Sequence, residues 1–224
     1  MSLKIKNLKT WRLIHISLIA CITLLLSACT MNALQPKGSS VVIEPGVDLT
    51  LPQPHELGYS VTASQLISAT WEDKTHQLPV QLQVDEDKVI LAGFSSWGTR
   101  ILSLKYQDNQ IDTDILTGLD QTLPQPEQIL FNLMITLWPI DAWQQPLQAI
   151  GWHMVETSNT RMIFNENDQA IIKVIYQYLE GVKTSDSHSE KLAKQVTFEH
   201  LTQGYKIQIQ TLNSTIVNPP IKNE

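Results

Sequence analysis

Cysteine is almost missing from this chain. Among 224 residues only Cys21 and Cys29 carry a thiol, and both lie near the N-terminus, so no disulfide framework and no cysteine metal site spans the body. Glycine is also scarce: nine residues are spread thinly, and none forms a glycine-rich phosphate loop. Charged residues make up 17%, and the basic ones are the minority at 16 against 22 acidic. A net charge of −6 and a pI near 5.5 argue against a nucleic-acid binder. The apolar run Leu13 to Leu26 has 14 residues, short of the roughly 20 that a membrane-spanning helix needs. What remains is globular composition, with 42% hydrophobic residues and enough length for one domain with a sizeable core.

The N-terminus carries an address. Lys4, Lys6, Lys9 and Arg12 form a basic segment with no acidic residue near it, and the apolar run follows. It ends in two small residues, Ser27 and Ala28, before Cys29, which is the layout of a cleaved signal peptide. Leu26-Ser27-Ala28-Cys29 resembles the lipobox of bacterial lipoproteins. That resemblance implies diacylation of the Cys29 thiol, cleavage before it, and acylation of the new amino terminus. The alternative is a free cysteine in an ordinary secretory signal. Thr30 stands where the retention signal of enteric bacteria would place Asp, so the resemblance implies the outer membrane, with the body facing the periplasm. Removing the 28 residues ahead of Cys29 leaves 196, with 12 basic and 22 acidic side chains and a formal charge of −10.

Behind the signal (1–28), residues 29–57 are rich in Pro, Gly, Ser and Gln and read as a lipidated tether. The domain is expected over 58–212 and a tail over 213–224. Tyr59 to Trp71 has strand character. Leu78, Val80, Leu82 and Val84 alternate with Gln77, Pro79, Gln81 and Gln83, the pattern of a sheet with one wetted side. Pro79 points to a strand end or an edge. Lys88 to Phe94, Arg100 to Tyr106 and Ile111 to Leu116 continue as strands joined by short polar turns. The period then changes. Ile129, Leu133 and Leu137 recur at helical spacing after Pro126, which predicts a helix over Glu127 to Trp138 and a stop at Pro139. A short second helix is expected over Asp141 to Leu147. Strands return at Trp152 to Glu156, Arg161 to Phe164 and Ala170 to Leu179. A polar loop, Glu180 to Lys194, leads into Gln195 to His200 and Tyr205 to Leu212. The class is mainly β with helices, an antiparallel sheet interrupted by a helical segment.

Catalytic and metal patterns are weak. His55, His76, His153, His188 and His200 are scattered, without zinc-site spacing. Gly93-Phe94-Ser95-Ser96-Trp97-Gly98 is not a nucleophile elbow, because Trp97 occupies the place of the second glycine. Asp85-Glu86-Asp87 lacks calcium-loop spacing, and Glu72 and Asp73 near His76 make an ordinary polar turn. No cofactor or metal is expected, and the protein reads as a non-enzyme. Trp138 suits a core position ahead of a lipid-contacting one, while Trp97 in a turn suits an exposed tip nearly as well as burial.

Lys88 to Tyr106 around Trp97-Gly98, and the strand opened by Gly151-Trp152, are similar to the LolA/LolB lipoprotein-localisation factors. The mature chain more closely resembles an uncharacterised family of bacterial outer-membrane lipoproteins, some encoded among aryl-polyene or fatty-acid-type biosynthetic genes. Its marks are Leu51-Pro52, Leu130 to Trp138 with Leu137-Trp138-Pro139, and Phe198-Glu199-His200-Leu201 with Gly204-Tyr205. The resemblance implies a LolA/LolB-like fold, a curved antiparallel sheet or incomplete β-barrel with a helix packed in its mouth, whose interior receives acyl chains or lipid. Leu82, Val84, Leu102, Leu104, Ile129, Leu133, Leu137 and Val174 are then the expected lipid-contacting residues. Two functions compete: an acyl-chain or lipid carrier held at the membrane through Cys29, and a lipoprotein with a filled core that docks an envelope complex. An empty apolar pocket would favour the first.

Overall fold

The computed structural model of the chain describes residues 39–71, 74–119, 124–178 and 192–218, apart from the side chain of Trp71. The signal segment, Cys29, Glu72, Asp73, His188 and most of the expected polar loop lie outside them. A hairpin of β1 (Ser40–Glu44) and β2 (Val47–Thr50) comes first, followed by a 3-10 turn over Pro54–Leu57. Five strands then run up and down: β3 (Ser60–Trp71), β4 (Lys74–Val84), β5 (Lys88–Phe94), β6 (Arg100–Gln107) and β7 (Gln110–Ile115). Two helices follow, α1 (Pro126–Leu137) and α2 (Ile140–Ala149). Five more strands close the chain: β8 (His153–Glu156), β9 (Thr160–Phe164), β10 (Ala170–Gln177), β11 (Gln195–His200) and β12 (Tyr205–Val217).

The strands form one antiparallel sheet of ten, in the order β7-β6-β5-β4-β3-β12-β11-β10-β9-β8. The topology is two meanders laid side by side. The first walks outward from β3, the second walks inward from β8, and β12 zips onto β3 over nearly its full length, from Lys206↔Thr70 to Val217↔Ser60. The sheet does not close, because β7 and β8 remain separate edges. Alternation sets its two faces. Val80, Leu82 and Val84 are buried on the inner side, while the outer side carries a hydroxyl and amide lattice that includes Ser64–Gln81 and Thr70–Thr75. Pro79 lacks an N–H and stands just outside the β4–β5 ladder, which stops at Val80↔Gly93. Beyond that point β4 pairs only with β3, so Pro79 occupies a local edge, as expected.

The helices lie on the inner face. Pro126 occupies the first turn of α1 and Glu127 lies at the positive end of its dipole; Trp138 and Pro139 end the helix. Leu130, Phe131, Leu133, Met134 and Ile135 are all buried, because α1 is covered on both sides: it packs on β7 and β11 and also on β1. Phe131 meets Trp143 of α2 edge-on at 5.9 Å, and Trp138 sits fully in the core with its indole N–H donating to Gln53 O at 2.9 Å.

Two boundaries differ from the sequence reading. Residues 39–57, assigned to the tether, carry the β1–β2 hairpin. Val41, Ile43, Leu49 and Leu51 are buried in the main core, each worth roughly 1.5–3 kcal/mol when fully buried. The hairpin is also tied by polar bonds: Gln203 Nε2 donates to Ile43 O at 2.9 Å, and buried His200 Nε2 lies 3.2 Å from the same oxygen. Residues 213–217, assigned to the tail, extend β12 to Val217. The backbone ladder to β3 holds them, past an irregularity between Thr211 and Asn213.

Candidate functional site

Beneath the N-terminal half of α1 the inner face of the sheet is not filled. A cavity of about 250 Å³ lies there, floored by Ile207 and Ile209 of β12, Ile67 and Ala69 of β3 and Leu78 of β4, with the exposed His76 and Gln77 of β4 at its rim. Ile129, Asn132 and Leu133 of α1 form its roof, one helical face at i, i+3 and i+4. Leu91, Ile101, Leu119 and Pro124 complete the described lining, and among these described residues there is no Asp, Glu, Lys or Arg. The floor is continuous because the strands are in register: Ile209↔Ile67, Ile207↔Ala69, Ala69↔His76 and Ile67↔Leu78. The space lies towards the end of the sheet where β4 has parted from β5. Gly93 at that parting has no Cβ, and one built there would stand 3.0 Å from Leu78 Cδ2 and 3.3 Å from Leu102 Cβ. Any larger residue would require Leu78, which lines the cavity, or Leu102 to shift.

A second, smaller and more polar chamber of about 50 Å³ lies under the C-terminal half of α1, sharing Leu133 and Ile209 as walls. Arg161 of β9 dominates it. Its Nη1 donates to Ile135 O at 2.6 Å and Trp138 O at 2.9 Å, binding the negative end of the helix. Its Nη2 reaches both carboxylate oxygens of Glu156 at 3.3 and 3.2 Å, and the guanidinium carbon sits 5.9 Å from the ring centre of Tyr176. Tyr176 donates to Thr136 O at 3.2 Å, and burial pushes its hydroxyl well above the usual phenol range. Burial also pushes Tyr59 up to about 12, reinforced by the Tyr178 hydroxyl and opposed by the Arg161 cation. These phenols are neutral at physiological pH. At the other end, Asn132 Oδ1 accepts from Tyr205 Oη at 3.2 Å and from Gln128 Nε2 at 3.1 Å.

The eight residues expected to touch lipid fall into two groups. Ile129 and Leu133 line the cavity, while Leu133 and Leu137 line the polar chamber. Leu82, Val84, Leu102, Leu104 and Val174 are fully buried on the inner face but line neither space. The cavity floor, Ile67, Ala69, Ile207 and Ile209, went unnamed in the sequence reading, as did Arg161 as a site residue. The alternation of β3 and β12 carried the signal for the floor; nothing in the sequence marks where a helix stands off a sheet. Trp97 is 93% exposed at the tip between β5 and β6. Among the described residues no group of three or more His, Cys, Asp or Glu is placed to hold a metal ion, and no helix is long and apolar enough to cross a membrane.

The family model for a protein of unknown function, DUF3261, matches residues 62–213. The chain belongs to the DUF3261 family. The match starts within β3 and ends within β12, so it takes in both meanders and both helices and leaves the β1–β2 hairpin outside. Among curated proteins nothing matches. Similar solved structures include a LolA superfamily protein of Nitrosomonas europaea, 8% identical over 74% of this chain and 89% of that one, with a TM-score of 0.41. Another is a domain named for outer membrane lipoprotein sorting from Vibrio parahaemolyticus, at 6% identity, TM-score 0.36, covering 75% and 88%. A third is a DUF1329 family protein of Desulfovibrio piger, at 10% identity, TM-score 0.33, covering 78% and 96%.

Proposed function

We propose that this protein is a lipid-anchored envelope protein that holds an acyl chain or lipid beneath α1 and passes it on without catalysis. The observation that carries the reading is the mostly apolar cavity of about 250 Å³ between α1 and the β12–β3–β4 floor, with no Asp, Glu, Lys or Arg among its described lining residues. An apolar cavity of about 150 Å³ accommodates benzene, roughly 25 Å³ per carbon, so this one has room for about ten carbons. An empty apolar space of that size lowers stability, and a ligand that fills it recovers the loss. The proposed anchor is Cys29, placing the body at the periplasmic side of the outer membrane. Several acyl chains on one residue supply about 0.8 kcal/mol per buried methylene.

The test is mass spectrometry of lipids extracted from the mature chain carrying Cys29→Ser, with titration of a fluorescent fatty-acid probe. Co-purifying acyl lipid, or saturable probe binding that such lipid displaces, is the expected result. A lipid-free preparation that binds no probe restores the other possibility, a docking lipoprotein for an envelope complex. Cys29→Ala in cells should abolish acyl labelling and leave an unprocessed precursor; a mutant still acylated and found with outer membranes overturns the anchor.

A further inference from the structure

The apolar floor of the cavity is short. Its inward residues form two rows, Ile67 with Leu78 and Ile209, then Ala69 with Ile207, and beyond these the exposed His76 and Gln77 mark the rim. In the other direction the next inward residues are Gln65 on β3 and Thr211 on β12. Gln65 is buried, its Nε2 donates to Thr211 Oγ1 at 3.4 Å, and Thr211 donates to Ala193 O at 2.9 Å, so the floor turns polar there. Leu133 and Ile209 line both the cavity and the polar chamber, and stand as the wall between them. From Gln65 to Ala69 is four strand residues, about 13 Å, the length of an extended chain of about ten carbons. The volume of about 250 Å³ gives the same count at roughly 25 Å³ per carbon. The length depends on the floor strands alone, the volume on the roof as well.

A second chain does not fit. Two chains of that depth need about 500 Å³ and three about 750 Å³, and the space widens only if α1 lifts. Arg161 holds one end of α1 through Ile135 O and Trp138 O, Tyr205 holds the other through Asn132, and β1 packs on its far side. A head group has no place inside either. Above the rim the one polar side chain of the described lining is Asn132, whose Oδ1 already accepts from Tyr205 and Gln128, so a charged head would be buried without compensation. We infer that the site takes a single acyl chain, tail first and about ten carbons deep, with its head left in water at the β4 rim, and that Leu133 and Ile209 form the stop that sets the depth. The ligand class is a one-chain acyl amphiphile, not a diacyl or triacyl lipid. This deepens the acyl-carrier reading and rests on it.

Calorimetric titration of the mature Cys29→Ser chain with monomeric lysophosphatidylcholines of six to fourteen acyl carbons tests it. Affinity should rise about fourfold per methylene up to about ten carbons and then stay level within about twofold. Dihexanoyl phosphatidylcholine, with twelve carbons in two chains, should bind at least tenfold more weakly than decanoyl lysophosphatidylcholine. Ala69→Leu should move the break about three carbons lower and Leu133→Ala about three carbons higher. If circular dichroism shows that Leu133→Ala does not fold, Ile209→Val is read in its place, with a break about one carbon higher. Affinity that climbs through fourteen carbons, a two-chain lipid that matches the decanoyl compound, or a break that no substitution moves overturns the inference while the carrier reading stands. Binding of none overturns both.

Discussion

Filling the cavity should stabilise the protein and block its ligand, and Ala69→Leu is the sharpest way to do so. Ala69 lies on the cavity floor, between Ile207 and His76 in the ladder. Leucine adds three carbons, about 75 Å³ on the benzene scale, against a space of about 250 Å³. At ~24 cal/mol per Å³ of closed cavity removed, the gain is at most roughly 1.8 kcal/mol, because Ala69 is part-exposed. A second route agrees: three methylenes at about 0.8 kcal/mol each, less ~0.5–1 for side-chain entropy, leave roughly 1.5–2. For a chain of this size that corresponds to a rise of about 3–7 °C in melting temperature. Calorimetry on delipidated mature Cys29→Ser protein reads the shift, and titration of a fatty-acid probe should show affinity lost at least tenfold. The sign decides. Overpacking a filled core costs about 1–3 kcal/mol, so a lowered melting temperature with unchanged probe affinity would refute the cavity and the site together.

Two further outcomes follow from buried polar groups. Arg161→Met removes the bonds to Ile135 O and Trp138 O and strips the guanidinium from Glu156, so it should destabilise by about 3 kcal/mol; Arg161→Met with Glu156→Met should recover most of that, measured by urea unfolding. His200 is buried, and burial lowers its pKa below the ordinary 6.5, with Glu44 and Ile43 O opposing. The unfolded chain therefore takes up the proton first, so this stabilisation is present above about pH 6.5 and is lost as pH falls through the folded pKa. Urea midpoints at pH 7.5, 6 and 5 should decline, and His200→Gln should flatten the decline; a slope unchanged by that substitution would remove His200 as its source.

How far the fold could be read in advance depended on whether a segment's pattern was local. β4 to β7 alternate strictly and turn on short polar runs, so each strand announces itself. α1 did the same through Ile129, Leu133 and Leu137. The β1–β2 hairpin did not, because its partners lie far away in sequence. Val41, Ile43, Leu49 and Leu51 form a short alternating set broken by Pro45-Gly46, flanked by the prolines that suggested a tether; the groups that hold them, His200 and Gln203, come some 160 residues later. The end of β12 was lost for another reason. The irregularity after Thr211 breaks the period of two, and Asn213 to Thr215 are exposed polar residues held by backbone pairing alone. The site residues were half legible for a third reason: alternation says which side chains face inward, and a filled core and an empty cavity ask the same of a strand.

The two halves of α1 are fastened by different means. Its C-terminal half is held by main-chain acceptors on three sides: Ile135 O and Trp138 O by Arg161, Thr136 O by Tyr176, while the Trp138 indole anchors to Gln53 O. Its N-terminal half is tied to the sheet through side chains, Gln128 and Asn132 meeting the hydroxyl of Tyr205. The cavity lies under the half that is held by side chains, with Ile129 and Leu133 above it and the small side chain of Ala69 on its floor.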